Sequence, residues 1–207
     1  MREPLSSEAR ARALDSLDKV ASLLLASAAP IEVDIVRSPE DLIATYRMRH
    51  DFLVSTGCAD CSQMAGGVEK DVYDDHALHL AAKHDGSVMG TIRLVFPQEG
   101  GLLPAEAYFG FRIEPVGEVV EPGRLVVVPE FRGDRHRVSG ALLARSWVEM
   151  RSRGYYICGG AASRKLISVY ENMGFTIEIL GKPLVYGGQE RFPCRWALSV
   201  PQPQTWR

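Results

Sequence analysis

The 207-residue chain is 46% hydrophobic, enough for one substantial core, and its length suits a single domain with an extension. Its 24 basic and 26 acidic residues leave a formal net charge of -2. That balance excludes the electrostatic footprint of a nucleic-acid or anionic-membrane binder.

From Ser7 to Ala28 the apolar residues Leu14, Leu17, Val20, Ala21, Leu24 and Leu25 recur at helical spacing, which predicts an amphipathic N-terminal helix. The apolar stretch Val20 to Ala29 is too short to span a bilayer. Upstream of it, Glu3, Glu8, Asp15 and Asp18 offset Arg2, Arg10, Arg12 and Lys19, so the net positive flank of a secretion signal is missing and a cytoplasmic protein is expected. After Pro30, Ile31 to Val36 alternates apolar with polar as a half-buried strand does. Ser38-Pro39-Glu40-Asp41 then supplies an N-cap, a proline for the first turn and two acids, the start of a second helix carrying Leu42, Tyr46, Arg47, Arg49 and Leu53.

Thr56 to Gly67 is rich in small and polar residues and reads as a loop. His76 to Lys83 and Val88 to Phe96 flank Asp85-Gly86, the pattern of a β-hairpin. An irregular crossing is expected over Gly100 to Gly117, followed by a strand at Leu125 to Val128 and a helix from Val138 to Arg151 stopped by Gly154. A short strand at Tyr155 to Cys158, a helix from Arg164 to Asn172 ended by Gly174, and strands at Phe175 to Leu180 and Arg195 to Val200 complete the pattern. The order predicts an α/β fold, a mixed sheet with helices on both faces. The expected divisions are 1–30, an N-terminal helical extension; 31–200, the domain proper; and 201–207, a loose tail.

Some residue pairs are less than they look. Cys58-Ala59-Asp60-Cys61 has the spacing of redox or zinc pairs, but no second close Cys/His pair accompanies it, so reduced thiols and no metal are expected for these two, Cys158 and Cys194. His76 and His79 fall in a strand pattern, where residues three apart face opposite ways, which argues against a shared metal. Trp147, Trp196 and Trp206 show no basic–aromatic interleaving of the nucleic-acid kind and read as core or tail residues.

The charged residues beside the apolar runs carry the functional signal. Glu69, Asp71 and Asp74 lie within six residues, so they need cations or water; Arg49, Arg93 and Arg124 are the expected partners, with Glu121 close by in sequence. A carboxylate of raised pKa in such a cluster serves as a base near neutrality, and Glu69 and Glu121 are the candidates.

These residues, in this order, resemble the GNAT N-acyltransferase superfamily, and more narrowly its autoinducer-synthase-like branch of acyl-homoserine-lactone synthases and N-acyl amino acid synthases. The resemblance runs from about Ile31 to Val200. It implies the GNAT fold, a mostly antiparallel mixed sheet flanked by helices, and an N-acyltransferase whose donor is acyl-CoA or acyl carrier protein and whose acceptor is a small amine such as an amino acid. It further implies an acceptor pocket shaped by Arg49, Asp71, Asp74, Arg93 and Arg124, and backbone N–H groups at Val126 and Val128 that polarise the thioester carbonyl. Arg132, Gly133, Arg135 and Arg137 would face the carrier's phosphates, although Asp134, Arg135 and His136 replace the spaced glycines usual there. Tyr170, in the pattern Tyr170, Gly174, Phe175, would protonate the leaving thiolate. Lactone synthases of the branch carry a phenylalanine and a tryptophan where this chain has Leu53 and a residue near Ala59, so transfer to another amine is expected over autoinducer synthesis. A non-catalytic module that holds an acyl thioester, and a protein acetyltransferase, are the competing readings.

Overall fold

A computed structural model describes residues 6–57, 64–128, 135–172, 175–186 and 189–197. Helix α1 spans Ser7–Ser27, with the Ser6 hydroxyl accepting from the Ala9 N–H, and strand β1 spans Glu32–Ile35. Helix α2, Pro39–Ser55, starts as its sequence predicts: the Ser38 hydroxyl accepts from the Asp41 N–H and Pro39 occupies the first turn. Strands β2, Leu78–His84, and β3, Ser87–Val95, form the expected hairpin, with Asp85 and Gly86 both at positive φ as the tight turn requires. Next come helix α3, Pro104–Phe109, strand β4, Val119–Val127, helix α4, Arg135–Ser152, strand β5, Ile157–Ala162, and helix α5, Arg164–Asn172. Strands β6, Thr176–Ile179, β7, Leu184–Tyr186, and β8, Gln189–Ala197, close the chain.

The sheet order is β1-β2-β3-β4-β5-β8-β6, with β7 paired to β8. Every pairing is antiparallel except that of β4 with β5. The strand pleat sorts β2 and β3 into two faces: Leu80, Ala82 and Ile92 pack with Val138, Ala141 and Leu142 of α4, while His79 and Arg93 face α2. Helix α1 lies outside α4, held by hydrogen bonds from Trp147 Nε1 (2.6 Å) and Arg151 to Asp18. Among the described residues no helix is long and apolar enough to cross a membrane.

Five sequence expectations need correction. Gly100 to Gly117 is not wholly irregular: α3 lies inside it, too short for apolar periodicity to reveal. Strand β4 begins six residues before Leu125, because Pro122-Gly123 sits within the strand rather than ahead of it. Strand β5 lies two residues later than expected at its start, and β8 starts well before Arg195, with β7 ahead of it. His76 belongs to a 3-10 turn, Asp74–His76, and only His79 is in a strand. Cys58, Cys61, Gly174 and Trp206 lie outside the described residues.

The parallel pairing of β4 with β5 is brief, Val119 with Ile157 and Val120 with Cys158, and it then stops. Backbone chemistry accounts for the stop. Donors along one strand edge recur every second residue, and two beyond Val120 stands Pro122, which has no N–H to give. Beyond this point β4 pairs only with β3, and β5 only with β8. Gly159 lies where the strands part, its missing Cβ replaced by neighbours: a methyl there would sit 2.7 Å from Val119 Cγ1 and 3.1 Å from Ile113 Cδ1. Gly159→Ala is therefore expected to destabilise the fold by roughly 1–3 kcal/mol, read as a lower urea midpoint at unchanged m-value; an unchanged midpoint would contradict this packing account.

Candidate active site

Arg49, in the middle of α2, is buried at 1% exposure and donates to both Glu69 and Asp74. Its bond to Asp74 is bidentate, Nη1 to Oδ1 at 2.7 Å and Nη2 to Oδ2 at 3.0 Å. Arg93 on β3 reaches Asp71 Oδ1 at 2.6 Å and Asp74 Oδ1 at 3.0 Å. Arg124 on β4 donates from Nε to Glu69 Oε1 and from Nη2 to Asp71 Oδ2, each at 3.0 Å. Three guanidiniums and three carboxylates thus close into one neutral network joining α2, the 69–74 segment, β3 and β4. Backbone donors complete it: the Asp71 N–H bonds Asp74 Oδ2 at 2.8 Å, and the Tyr73 N–H bonds Asp71 Oδ1 at 2.9 Å.

Arg124 reaches the network because the strand bends. Thr91 pairs with Val126 and Arg93 with Gly123, so β4 carries one residue more than β3 between those pairs. Arg124 takes the bulge at φ 56°, a left-handed conformation unusual for a side chain of this kind.

Burial alone would raise the Asp74 pKa, but the Arg49 bonds, the Asp71 N–H and the Arg93 charge outweigh it and hold the carboxyl well below the usual range. His79 packs edge-on to Tyr46, and its Nε2 lies 3.2 Å from the Asp74 carbonyl oxygen; burial pushes its pKa down, which keeps the ring neutral beneath the network.

Glu121 stands apart from this network. It is 9% exposed, sits on β4 where β5 departs, and Oε2 accepts from the Ala105 N–H of α3 at 2.8 Å. No guanidinium bond to it is among those described. Burial pushes its pKa up to about 7, with the Ala105 N–H, Arg93 and Arg124 opposing and Glu106 adding to the rise. The position of Gly160 on β5 is hard against it, since a Cβ there would lie 3.3 Å from Glu121 Cγ.

Tyr170, on α5, stacks edge-on against Trp196 at 5.5 Å and Phe175 at 6.1 Å. Burial, with Cys158 and Cys194 nearby, raises its phenol to about 12. Cys194 on β8 is raised to about 12 by burial and by the Glu121 charge, and burial raises Cys158 likewise; both stay thiols. Among the described residues no group of three metal-ligating side chains exists.

The sequence-derived set converges in most respects: Arg49, Glu69, Asp71, Asp74, Arg93 and Arg124 touch one another, and Glu121 lies beside Arg93 and Arg124. Two expectations shift. Both oxygens of Glu69 are taken by guanidinium donors, from Arg124 and Arg49, which leaves it little room to receive a proton. The Val128 N–H is spent on Met89 O at 3.0 Å, and by strand alternation the Val126 N–H also points at β3, so the amide that faces the gap is that of Val127. Arg132 and Gly133 lie outside the described residues, as do the side chains of Arg135 and His136; Arg137 is in the first turn of α4. Sequence reasoning missed the Ala105 N–H, Glu106 and Tyr73. The signal for the first two was Pro104 followed by Glu106, a helix-start pattern inside a stretch read as irregular.

Solved structures of acyl-homoserine-lactone synthases and related acyltransferases superpose on this fold. The acyl-homoserine-lactone synthase LasI aligns at TM-score 0.64 with 15% identity, covering 85% of this chain and 94% of that one. BjaI, a CoA-dependent acyl-homoserine lactone synthase solved with SAM and isopentyl-CoA, gives 0.61 and 21% over 81% and 79%. FeeM, an N-acyl amino acid synthase from uncultured soil microbes, gives 0.59 and 16% over 83% and 92%. No curated protein matches the sequence significantly. The family model of the N-acyl amino acid synthase FeeM matches residues 44–193, so the chain belongs to that family. It is an acyltransferase, carrying an acyl group from a thioester to an amine.

Arg49→Met takes one guanidinium from two buried carboxylates, leaving the network one positive charge short, and is expected to cost about 3–5 kcal/mol at pH 7. A depressed carboxyl pKa contributes stability above the ordinary value near 4 and loses it as pH falls. Urea titrations at pH 7 and 3.5 should therefore show the gap between wild type and variant narrowing in acid; a gap of equal size at both pH values would contradict the pairing.

Proposed function

We propose that the chain transfers an acyl group from acyl-CoA or an acyl carrier protein to the amine of a small acceptor such as an amino acid, with Glu121 as the general base. The observation that carries the reading is Glu121 itself: a nearly buried carboxylate with a pKa of about 7, set where β4 and β5 part. One oxygen is held by the Ala105 N–H, and the other has no protein donor among the described residues. A base poised near neutrality can take a proton from an ammonium nucleophile, directly or through one water, in the working pH range.

The remaining roles follow from position. The thioester carbonyl would lie against the gap-facing Val127 N–H, a backbone donor fixed before the oxyanion develops. Electrons pass from the amine nitrogen to the carbonyl carbon; the tetrahedral intermediate collapses with cleavage of the C–S bond, the thiolate takes a proton from the Tyr170 phenol, and the second proton lost by the nitrogen returns through solvent to the phenolate, while Glu121 releases the first to bulk water. With a pKa of about 12, that phenol is an acid rather than a base. Asp71 and Arg124, each about a quarter exposed at the side chain, are the members of the ion network open to an acceptor's charged groups. Glu69 serves as an anchor between two arginines. On this reading residues 31–200 are the transferase unit and residues 1–30 an extension whose helix α1 bonds α4 through Asp18, and Arg132, Gly133, Arg135 and Arg137 would meet the carrier's phosphates.

Leu53 stands where lactone synthases carry phenylalanine, which favours an amino-acid acceptor over S-adenosylmethionine. Thiol release with a panel of acyl-CoA and acyl-carrier-protein donors, with and without amino acids, tests the reading. Release that requires an amine, with an amide product by mass spectrometry, is expected; donor binding without amine-dependent release would leave a holding module instead. Glu121→Gln should lower kcat/KM by about 10²–10⁴-fold. It should also stabilise the protein: a carboxyl whose folded pKa lies above its unfolded value weakens the fold as pH rises between them, here from 4.5 to about 7. At pH 8 the variant should therefore gain up to about 3 kcal/mol in urea unfolding, while at pH 4 the two proteins should match.

A further inference from the structure

Glu106 lies one residue beyond the amide that holds Glu121, is 4% exposed, and takes no part in the chemistry proposed above. Its two oxygens are committed to backbone donors from both ends of the α3 segment. Oε2 accepts from the Leu103 N–H and Oε1 from the Ile113 N–H, each at 2.8 Å, and Arg112 Nη1 stands 3.3 Å from Oε2. A six-residue helix has almost no stability of its own, so side chains that tie its ends decide where its amides point. Pro104, at its first position, supplies the second constraint by fixing φ.

We propose that Glu106 is a positioning residue for the acyl transfer: by bracing α3 it aims the Ala105 N–H at Glu121 Oε2, leaving the other oxygen as the one that accepts the proton. The inference rests on Glu121 being the base. It assigns a role to a buried carboxylate whose guanidinium neighbour is Arg112, at 3.3 Å. The groups that face Glu121 are Ala105 N–H and Glu106 from α3, Arg93 from β3, Arg124 from β4, Tyr73 from the 69–74 segment and Cys194 from β8.

Glu106→Gln makes opposite predictions for a brace and for a bare charge. Gln presents an NH2 to one of the two N–H donors, so α3 loosens and the Ala105 bond weakens; since that bond favours ionised Glu121, its loss raises the pKa of the base. Removing a nearby negative charge alone would lower it. Pro104→Gly loosens the same turn without changing any charge and should also raise it.

The test titrates Glu121 by carboxyl ¹³C NMR in protein labelled at glutamate, its resonance assigned by its absence in Glu121→Gln, alongside the acid limb of kcat/KM. In both Glu106→Gln and Pro104→Gly, we expect the pKa to rise by about half a unit or more. We also expect kcat to fall about tenfold, with KM for donor and amine within twofold. An unchanged or lowered pKa in the variants would overturn the proposal, whatever the loss of kcat or thermal stability. Should Glu106→Gln not fold, Pro104→Gly decides alone by the same criterion. Because the titration needs no turnover, it separates failure of the brace from failure of the acyltransferase reading.

Discussion

The closed network of Arg49, Arg93 and Arg124 with Glu69, Asp71 and Asp74 is the constraint on which the rest depends. Each charge in it would be prohibitive alone at its depth, and each is tolerable because its neighbours come from other elements. The network therefore works as a fastener. It fixes α2 over β3, pins the 69–74 segment against the sheet, and requires β4 to bulge so that Arg124 can reach inward. Its neutrality matters too. Three positive and three negative groups cancel, so Glu121 beside them feels burial more than any single charge.

The same strand that bulges for Arg124 also lets go of its neighbour. Pro122 interrupts the donor row that would extend the β4–β5 ladder, and Gly159 and Gly160 keep the β5 side free of bulk at the parting point. Fold and chemistry meet there. Glu121 is held between the ion network and α3, and its raised pKa is a stability cost that suits the base role proposed for it. Tyr170 stacks on Trp196, and burial keeps its phenol and the Cys158 and Cys194 thiols protonated.

Much of this was legible in the sequence, for identifiable reasons. Ser38-Pro39 and Asp85-Gly86 are local signals whose physics is complete within a few residues, and both elements form where they point. The partnership of acids and arginines was legible because buried charge must be compensated. Which atoms pair was not, since that depends on a bulge at Arg124 that only a two-strand register reveals. Strand β4 was read too short because Pro122-Gly123 looks like a breaker; within a strand whose edge faces a gap, a missing N–H costs nothing. Helix α3 escaped because six residues show no periodicity, and with it went Ala105 and Glu106. The proposal of Glu121 over Glu69 needed coordinates, for it turns on which carboxylate keeps an oxygen without a protein donor among the described residues.

The most direct measurement is a crystal structure with a non-hydrolysable 2-oxoalkyl thioether analogue of acyl-CoA, in which a methylene separates the sulfur from a retained carbonyl. The account predicts the sulfur in the gap between β4 and β5 beside Tyr170, with the analogue's carbonyl oxygen within hydrogen-bond reach of the Val127 N–H and an open path to the unbonded oxygen of Glu121. Ligand density elsewhere, with the gap filled by repacked side chains and Glu121 shielded from it, would contradict the account.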